Sequence, residues 1–265
     1  MNRCTFIAPV FNEEASVPAL FERFGELAKR LEPCRVAFVV VDDGSTDATA
    51  ERLLAAGQAL GVRLLRHDRN RGPGHAFGTA FESLADGLRP DDYVATIEGD
   101  NTSPIDTLLR MLGRAEGEGL DLVLGSPHAP GGSLGGTSLW RRFLSAGANG
   151  AVRCLLGMRG VRTISSFCRV WRGRALRALQ ERYGPRIIER PGFDGVVEML
   201  KKAMILGLRI GEEPLVLDTS ARVGKSKMRV LRTIRGYLGL WLALPRWKRQ
   251  ADVPRPGSRS KISEE

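Results

Sequence analysis

Residues 35–47 read Arg-Val-Ala-Phe-Val-Val-Val-Asp-Asp-Gly-Ser-Thr-Asp, RVAFVVVDDGSTD: a run of β-branched and aromatic side chains, then two carboxylates, then turn formers. A nearly continuous apolar run of this length is what a strand buried on both faces needs, and such strands belong to parallel sheets. On its N-terminal side, Ser16 to Leu31 places Val17, Leu20, Phe21, Phe24, Leu27 and Leu31 at helical spacing, and residues 3–10 (RCTFIAPV) form another short apolar run. Strand, helix and strand in that order predict a βαβ unit.

The alternation continues toward the C-terminus. Helices are predicted over 46–60, 74–84 and 104–116, and strands over 62–65, 93–97 and 121–125. This is the pattern of an α/β fold, an open, mostly parallel sheet flanked by helices, whose ligands bind beyond the carboxyl ends of the strands. After Gly125 comes a Gly/Ser/Pro-rich loop, SPHAPGGSLGGTS. A helix rich in small residues is expected over 139–156, a strand near 167–171, helices near 174–182 and 192–206, a strand over 208–216 and a final helix over 228–244.

Four chemistry-bearing loops follow the first four strands: Pro9-Val-Phe-Asn-Glu-Glu14, Asp42 to Asp47, His67 to Gly74, and Glu98-Gly-Asp100. Asp42 or Asp43 alone reads equally well as a helix N-cap. Convergence of four such loops on one sheet edge is not a capping effect. In YVATIEGDNTSP (93–104), Glu98 and Asp100 are two apart on an extended segment, so both are expected to face the crevice. Paired hard oxygens there suit Mg²⁺ or Mn²⁺.

Composition bounds the rest. A chain of 265 residues with 43% apolar content can bury a sizeable core and is not wholly disordered. Cys4, Cys34, Cys154 and Cys168 form no C-x-x-C pair and no signal peptide precedes the first strand, which predicts a reducing, cytoplasmic setting. From Ser220 onward, 12 Lys/Arg face 3 acids, so nearly all of the net +10 sits at the C-terminal end and predicts an anionic partner there. In the final helix Arg229, Arg232 and Arg235 alternate with apolar residues, followed by Trp241 and Trp247. That pattern fits a peripheral helix on an anionic membrane, and equally a helix packed on the domain with a solvated basic face. No apolar stretch approaches the roughly 20 residues of a membrane span. No zinc-ligand spacing or RNA-binding motif accompanies the charge, so nucleic acid is not expected.

These motifs together resemble glycosyltransferase family 2 with the GT-A fold: P-V-F-N-E-E, V-V-V-D-D-G-S-T-D, N-R-G-P-G-H-A and E-G-D in that order. In the second half Gly125-Ser126, Trp140-Arg141, Ser145 to Asn149, Ser165 to Arg172 and Val223-Gly-Lys-Ser-Lys-Met228 resemble the branch that makes dolichyl or polyprenyl phosphate sugars. The resemblance implies an inverting hexosyltransferase that takes a sugar from a nucleotide-sugar donor to a polyprenyl-phosphate acceptor at the cytoplasmic membrane face. It implies a single catalytic domain over 1–220, with a nucleotide-sugar half (1–125) and an acceptor half (126–220), then a basic loop and amphipathic helix (221–250) and a disordered tail (251–265).

The same resemblance places Pro9, Phe11 and Glu13 in the nucleoside pocket and Asp43 on the base or ribose, with Gly72 and Gly74 also at the donor. It assigns Glu98 and Asp100 to the metal, Arg141 and Ser145 to the acceptor phosphate, and Arg222, Ser226 and Lys227 to closure over the phosphates. The usual D-x-D is here Glu98-Gly-Asp100. Val196 stands where that branch carries a Gln, leaving Asp194 and Glu198 as candidate third ligands. Independently of the resemblance, no acid lies between Ser126 and Leu156, where a base for a sugar hydroxyl would be sought. An acceptor phosphate, already ionised near neutral pH, needs none. A transferase acting on a soluble or protein hydroxyl, and a catalytically silent nucleotide-binding or membrane scaffold protein, remain the alternatives.

Overall fold

The expected parallel strands form. β1 (Arg3–Val10) lies between β2 (Arg35–Asp42) and β4 (Tyr93–Thr96), and β3 (Arg63–Arg66) pairs with β2, all parallel. The computed structural model describes residues 3–99, 103–135, 147, 149–218 and 230–252. β5 (Leu122–Ser126), β7 (Arg169–Arg172) and β8 (Ile210–Pro214) complete a seven-stranded sheet of order β3-β2-β1-β4-β7-β5-β8. Only β7 runs against its neighbours, pairing antiparallel with both β4 and β5. The carboxyl ends of the other six strands therefore share one edge with the start of β7.

Side chains alternate across this sheet as a strand period of two requires. Phe6, Ala8, Phe38 and Val40 enter one core with α1 (Val17–Arg30), Leu53 of α2 (Thr49–Leu60) and α4 (Ile105–Gly117). Ile7, Val39 and Val41 enter the other, with α3 (Pro73–Leu84), α6 (Gly173–Tyr183), α7 (Asp194–Ile205) and α8 (Val230–Asp252). The described part of α5, residues 149–155, adds Val152 to that second core.

Two departures from the sequence expectation have physical causes. The strand expected over 208–216 is divided after Pro214, whose missing N–H interrupts a ladder. Beyond it β9 (Val216–Asp218) pairs instead with β6 (Ser133–Gly135), a strand hidden inside the Gly-rich loop, as a second two-stranded sheet. The last helix does not stop at Leu244 but runs through Pro245 to Asp252. Trp247 holds the extra turns in place, 1% exposed and with the Lys202 Nζ 5.2 Å from its ring centre. Full burial of a large side chain stabilises by roughly 1.5–3 kcal/mol, which offsets much of the roughly 3 kcal/mol that an interior proline costs, and Arg246 adds its pair with Glu189.

Candidate active site

The loops after β1 and β2 are laced together. Asn12 adopts φ 51°, a left-handed conformation that asparagine tolerates better than most residues. There its Oδ1 accepts from the Thr46 N–H at 2.8 Å while its own N–H donates to Ser45 Oγ at 2.9 Å. The Glu13 N–H donates to Thr49 Oγ1 at 2.8 Å, and the Ala48 N–H to Glu14 Oε2 at 3.0 Å. Pro9, Phe11 and Glu13 are left partly exposed along this rim.

Deeper in the edge, Asp42 is fully buried, bonded by the Ser45 N–H at 2.9 Å and ion-paired with Arg66 at 3.1 Å. Asp43 is 3% exposed. The sequence reading places it directly on a base or ribose, yet both its oxygens have protein partners. Oδ1 meets His67 Nδ1 at 2.7 Å and the Arg71 N–H at 2.9 Å, and Oδ2 accepts the Gly72 N–H at 2.8 Å. His67 Nε2 continues the chain to Thr79 Oγ1 at 2.9 Å on α3. Asp43 thus shapes the 71–72 loop at this edge.

Gly72 and Gly74 owe their identity to a strap of chain over 186–193. A Cβ on Gly72 would strike the Pro191 carbonyl, and one on Gly74 the Arg190 carbonyl. Gly72 also holds φ 93°, open to glycine at no steric cost. The Gly74 N–H donates to Pro191 O at 2.9 Å, so the strap, not an anion, occupies that part of the α3 N-terminus.

The strap is itself fixed by Glu198, which is fully buried. Its Oε2 accepts the N–H groups of Glu189 at 3.0 Å and Arg190 at 2.9 Å, and its Oε1 lies 2.7 Å from Lys202 Nζ. Burial lifts the Glu198 carboxyl above its ordinary range against the opposing pull of Lys202. With every contact internal, Glu198 is a structural residue and no third metal ligand. Asp194 starts α7 at 7% exposure and packs on Gly236 of α8, its carboxyl raised by burial.

At the end of β4, Gly99 passes so near β1 that a Cβ would sit 2.7 Å from Pro9 O. Glu98 is partly exposed, and its Oε2 receives the Ser103 hydroxyl, while Arg23 donates to the Ser103 carbonyl. Burial, with the Glu98 charge nearby as a smaller cause, pushes the Cys168 thiol far up. At the start of β7, Arg169 is 2% exposed and donates, among the described residues, to the carbonyls of Ser166, Val196 and Ile164. Burial pulls its guanidinium down to about 9, still a cation at neutral pH beneath this edge.

In the loop after β5, burial lowers the His128 imidazole, with nearby Arg153 as a further, smaller cause. Asp100, Arg141, Ser145, Arg222, Ser226 and Lys227 lie outside the described residues. Among the described residues no group of three or more His, Cys, Asp and Glu could hold a metal. His67, Ser103 and Asn12, each central to the edge, were not assigned roles from the sequence. The available signal was position, since each lies in or just after a strand-end loop that the sequence singles out.

Known proteins agree with this architecture. The model for the family "Glycosyl transferase family 2" matches residues 5–177. Polyprenol monophosphomannose synthase of Mycolicibacterium smegmatis is 28% identical over 230 residues, covering 85% of this chain and 81% of its own. Undecaprenyl-phosphate mannosyltransferase of Micrococcus luteus is 27% identical over 227 residues, covering 85% and 87%. Among solved structures, glucosyl-3-phosphoglycerate synthase of Mycobacterium tuberculosis, in complex with Mn²⁺ and UDP-glucose, superimposes with a TM-score of 0.59 at 19% identity. That match covers 97% of this chain and 81% of the other, and shows the fold to be GT-A-like.

Proposed function

Because this chain belongs to glycosyl transferase family 2, we propose that it moves a sugar, with inversion, from a nucleoside-diphosphate sugar to a polyprenyl phosphate. The observation that carries the acceptor is the acid-free stretch from Ser126 to Leu156, which holds Arg141, Arg142 and Arg153 instead. The names of the two relatives that span 85% of the chain support it. An acceptor phosphate oxygen attacks the anomeric carbon as the bond to the nucleoside diphosphate breaks on the opposite face. The nucleophile arrives deprotonated, so no base is called for, and the charge that grows on the leaving diphosphate is what needs stabilising.

In this reading Pro9, Phe11 and Glu13 line the nucleoside pocket, and Asp43 acts through the loop it holds beside Gly72 and Gly74. Arg141 and Ser145 take the acceptor phosphate, and Arg222, Ser226 and Lys227 close over the phosphates. Glu98 and Asp100 would hold Mg²⁺ or Mn²⁺, which neutralises the departing diphosphate. The donor set fits, since such ions often take only one or two protein carboxylates and complete their shell with substrate phosphates and water. Mn²⁺ accompanies UDP-glucose in the solved neighbour. A lipid acceptor places the work at a membrane, on its cytoplasmic face. Among the described residues no helix is long and apolar enough to cross it.

The test is product analysis with a panel of nucleotide sugars and a polyprenyl phosphate. An acid-labile product that partitions into organic solvent is expected, and Asp100→Asn should lower turnover by about 10²–10³-fold. A parent protein that binds no nucleoside diphosphate by calorimetry, with or without Mn²⁺, would overturn the reading.

A further inference from the structure

α8 has two faces with different occupants. Inward, Leu240 is fully buried and Trp247 1% exposed, with Tyr237, Ala243 and Leu244 packed on the same core. Polar anchors add to this: Arg190 Nη2 donates to Gly239 O at 2.7 Å and Arg246 pairs with Glu189. A helix tied down in this way does not leave the domain to lie on another surface.

Outward, Leu238 is 53%, Trp241 50% and Leu242 71% exposed, and Pro245 is exposed beside them. Positions i, i+3, i+4 and i+7 form one stripe along a helix. The other large apolar side chains exposed among the described residues are scattered over α2, α5 and β9. Pro245 also removes the N–H that would have bonded the Trp241 carbonyl, leaving a polar group at the middle of the stripe. Arg235, Lys248 and Arg249 are exposed at its margins, and Asp252 is the one acid of the helix.

We infer that this outward stripe of α8 docks the enzyme on an anionic lipid leaflet. Leu238, Trp241 and Leu242 enter the headgroup boundary, while Arg235, Lys248 and Arg249 neutralise lipid phosphates. The partner follows from charge complementarity and from the proposed lipid acceptor, on whose reading this inference rests. An apolar ridge with an amphipathic Trp and basic margins is the chemistry that binds a membrane interface. Of the two tryptophans that the sequence marks as interfacial, the structure leaves Trp241 for this role and commits Trp247 to the core.

The experiment is sedimentation of the full chain with phosphatidylglycerol–phosphatidylcholine vesicles that contain no polyprenyl phosphate. The parent should bind, less so at high salt and less to phosphatidylcholine alone. Leu238→Ser/Trp241→Ser/Leu242→Ser should weaken binding about tenfold or more with an unchanged melting temperature. Arg235→Gln/Lys248→Gln/Arg249→Gln should flatten the salt dependence. Vesicle binding by the serine variant equal to the parent's overturns the proposal. So does a parent dimer, seen by sedimentation velocity, that the serine variant dissolves while vesicle binding persists. A short-chain, water-soluble prenyl phosphate assayed without vesicles separates the two readings, because the serine variant should match the parent there. If neither protein uses that acceptor while vesicle binding still depends on the stripe, the acceptor reading fails and the docking surface stands.

Discussion

Asp43 and Glu198 solve the same problem in different parts of the molecule. Each is a buried carboxylate that accepts two consecutive backbone N–H groups, those of Arg71 and Gly72 for Asp43, and of Glu189 and Arg190 for Glu198. Each also holds one nitrogenous side chain at 2.7 Å, His67 or Lys202. The two organised segments then meet where the Gly74 N–H bonds Pro191 O. Asp43 stands at a strand end, so what it organises becomes the rim of the crevice. Glu198 lies inside α7, where its i,i+4 partner Lys202 reaches on to Tyr183 and Trp247, and what it organises is the seat of α8. A buried, hydrogen-bonded carboxylate therefore marks an ordered turn, and only its place on the sheet edge marks chemistry.

The strongest way to break this parallel is at Glu198. In Glu198→Gln the Lys202 ammonium keeps its burial and loses its closest carboxylate, leaving Glu189 at 3.2 Å. Stripping one partner from a buried pair costs about 3–5 kcal/mol, a fall in melting temperature of roughly 10 °C for a chain of this size. Glu198→Gln combined with Lys202→Met should recover most of it, because no charge is then stranded and the amide oxygen still accepts the Glu189 and Arg190 N–H groups. If Glu198→Gln melts with the parent, the strap is not held by this carboxylate.

Gly74→Ala attacks the meeting point of the two segments. The new Cβ would collide with the Arg190 carbonyl, a backbone atom that cannot rotate away. Overpacking of this kind costs about 1–3 kcal/mol, and here it also loosens the loop after β3, which the proposed function places at the donor. Thermal denaturation and donor KM should worsen together. Asp43→Asn sharpens the comparison from the crevice side. Its amide nitrogen must face a donor, stranding either the Gly72 N–H or the partners of Oδ1, at about 1–2 kcal/mol. Its effect on kcat/KM should exceed that of Glu198→Gln when both are measured well below their melting temperatures. Equal effects would place both carboxylates in the scaffold.

This contrast also shows how far the chain could be read in advance. The strands carry their own signal: the runs at 3–10, 35–41 and 93–97 became Arg3–Val10, Arg35–Asp42 and Tyr93–Thr96. A fully apolar run has few alternatives to a buried strand. The crevice was legible for a related reason, since a parallel sheet brings every strand-end loop to one edge. Hydrogen-bond partners were not. His67 is 24 residues from Asp43, and Pro191 lies more than a hundred beyond Gly74, so nothing in the sequence shows that the glycines' lack of a side chain also admits the strap. β6, three residues in a Gly-rich loop, had no periodicity to show. The end of α8 was masked by Pro245, whose local cost is met by distant contacts, the burial of Trp247 and the pairing of Arg246 with Glu189.

The smallest effect tests the comparison at the crevice rim itself. Asp47 is a partly exposed carboxylate doing what Asp43 does in the interior, accepting the Thr49 N–H at 3.0 Å and, more weakly, the Glu14 N–H at 3.4 Å. Its slight burial alone would raise its carboxyl, but the hydroxyl and N–H of Thr49, with the N–H of Glu14, hold it below the usual carboxylate range. A carboxyl whose folded value is depressed stabilises the protein above its unfolded pKa of about 3.9, and that contribution is lost as pH falls through the lower folded value. Asp47→Asn, which cannot ionise, should cost under about 1 kcal/mol at neutral pH, because solvent screens an exposed group. In urea titrations at pH 7, 5 and 3 the gap between variant and parent should hold over the first two and narrow at the third. A gap that does not change with pH would mean that the amide serves the two N–H groups as well as the carboxylate does, and that charge matters only where Asp43 and Glu198 are cut off from water.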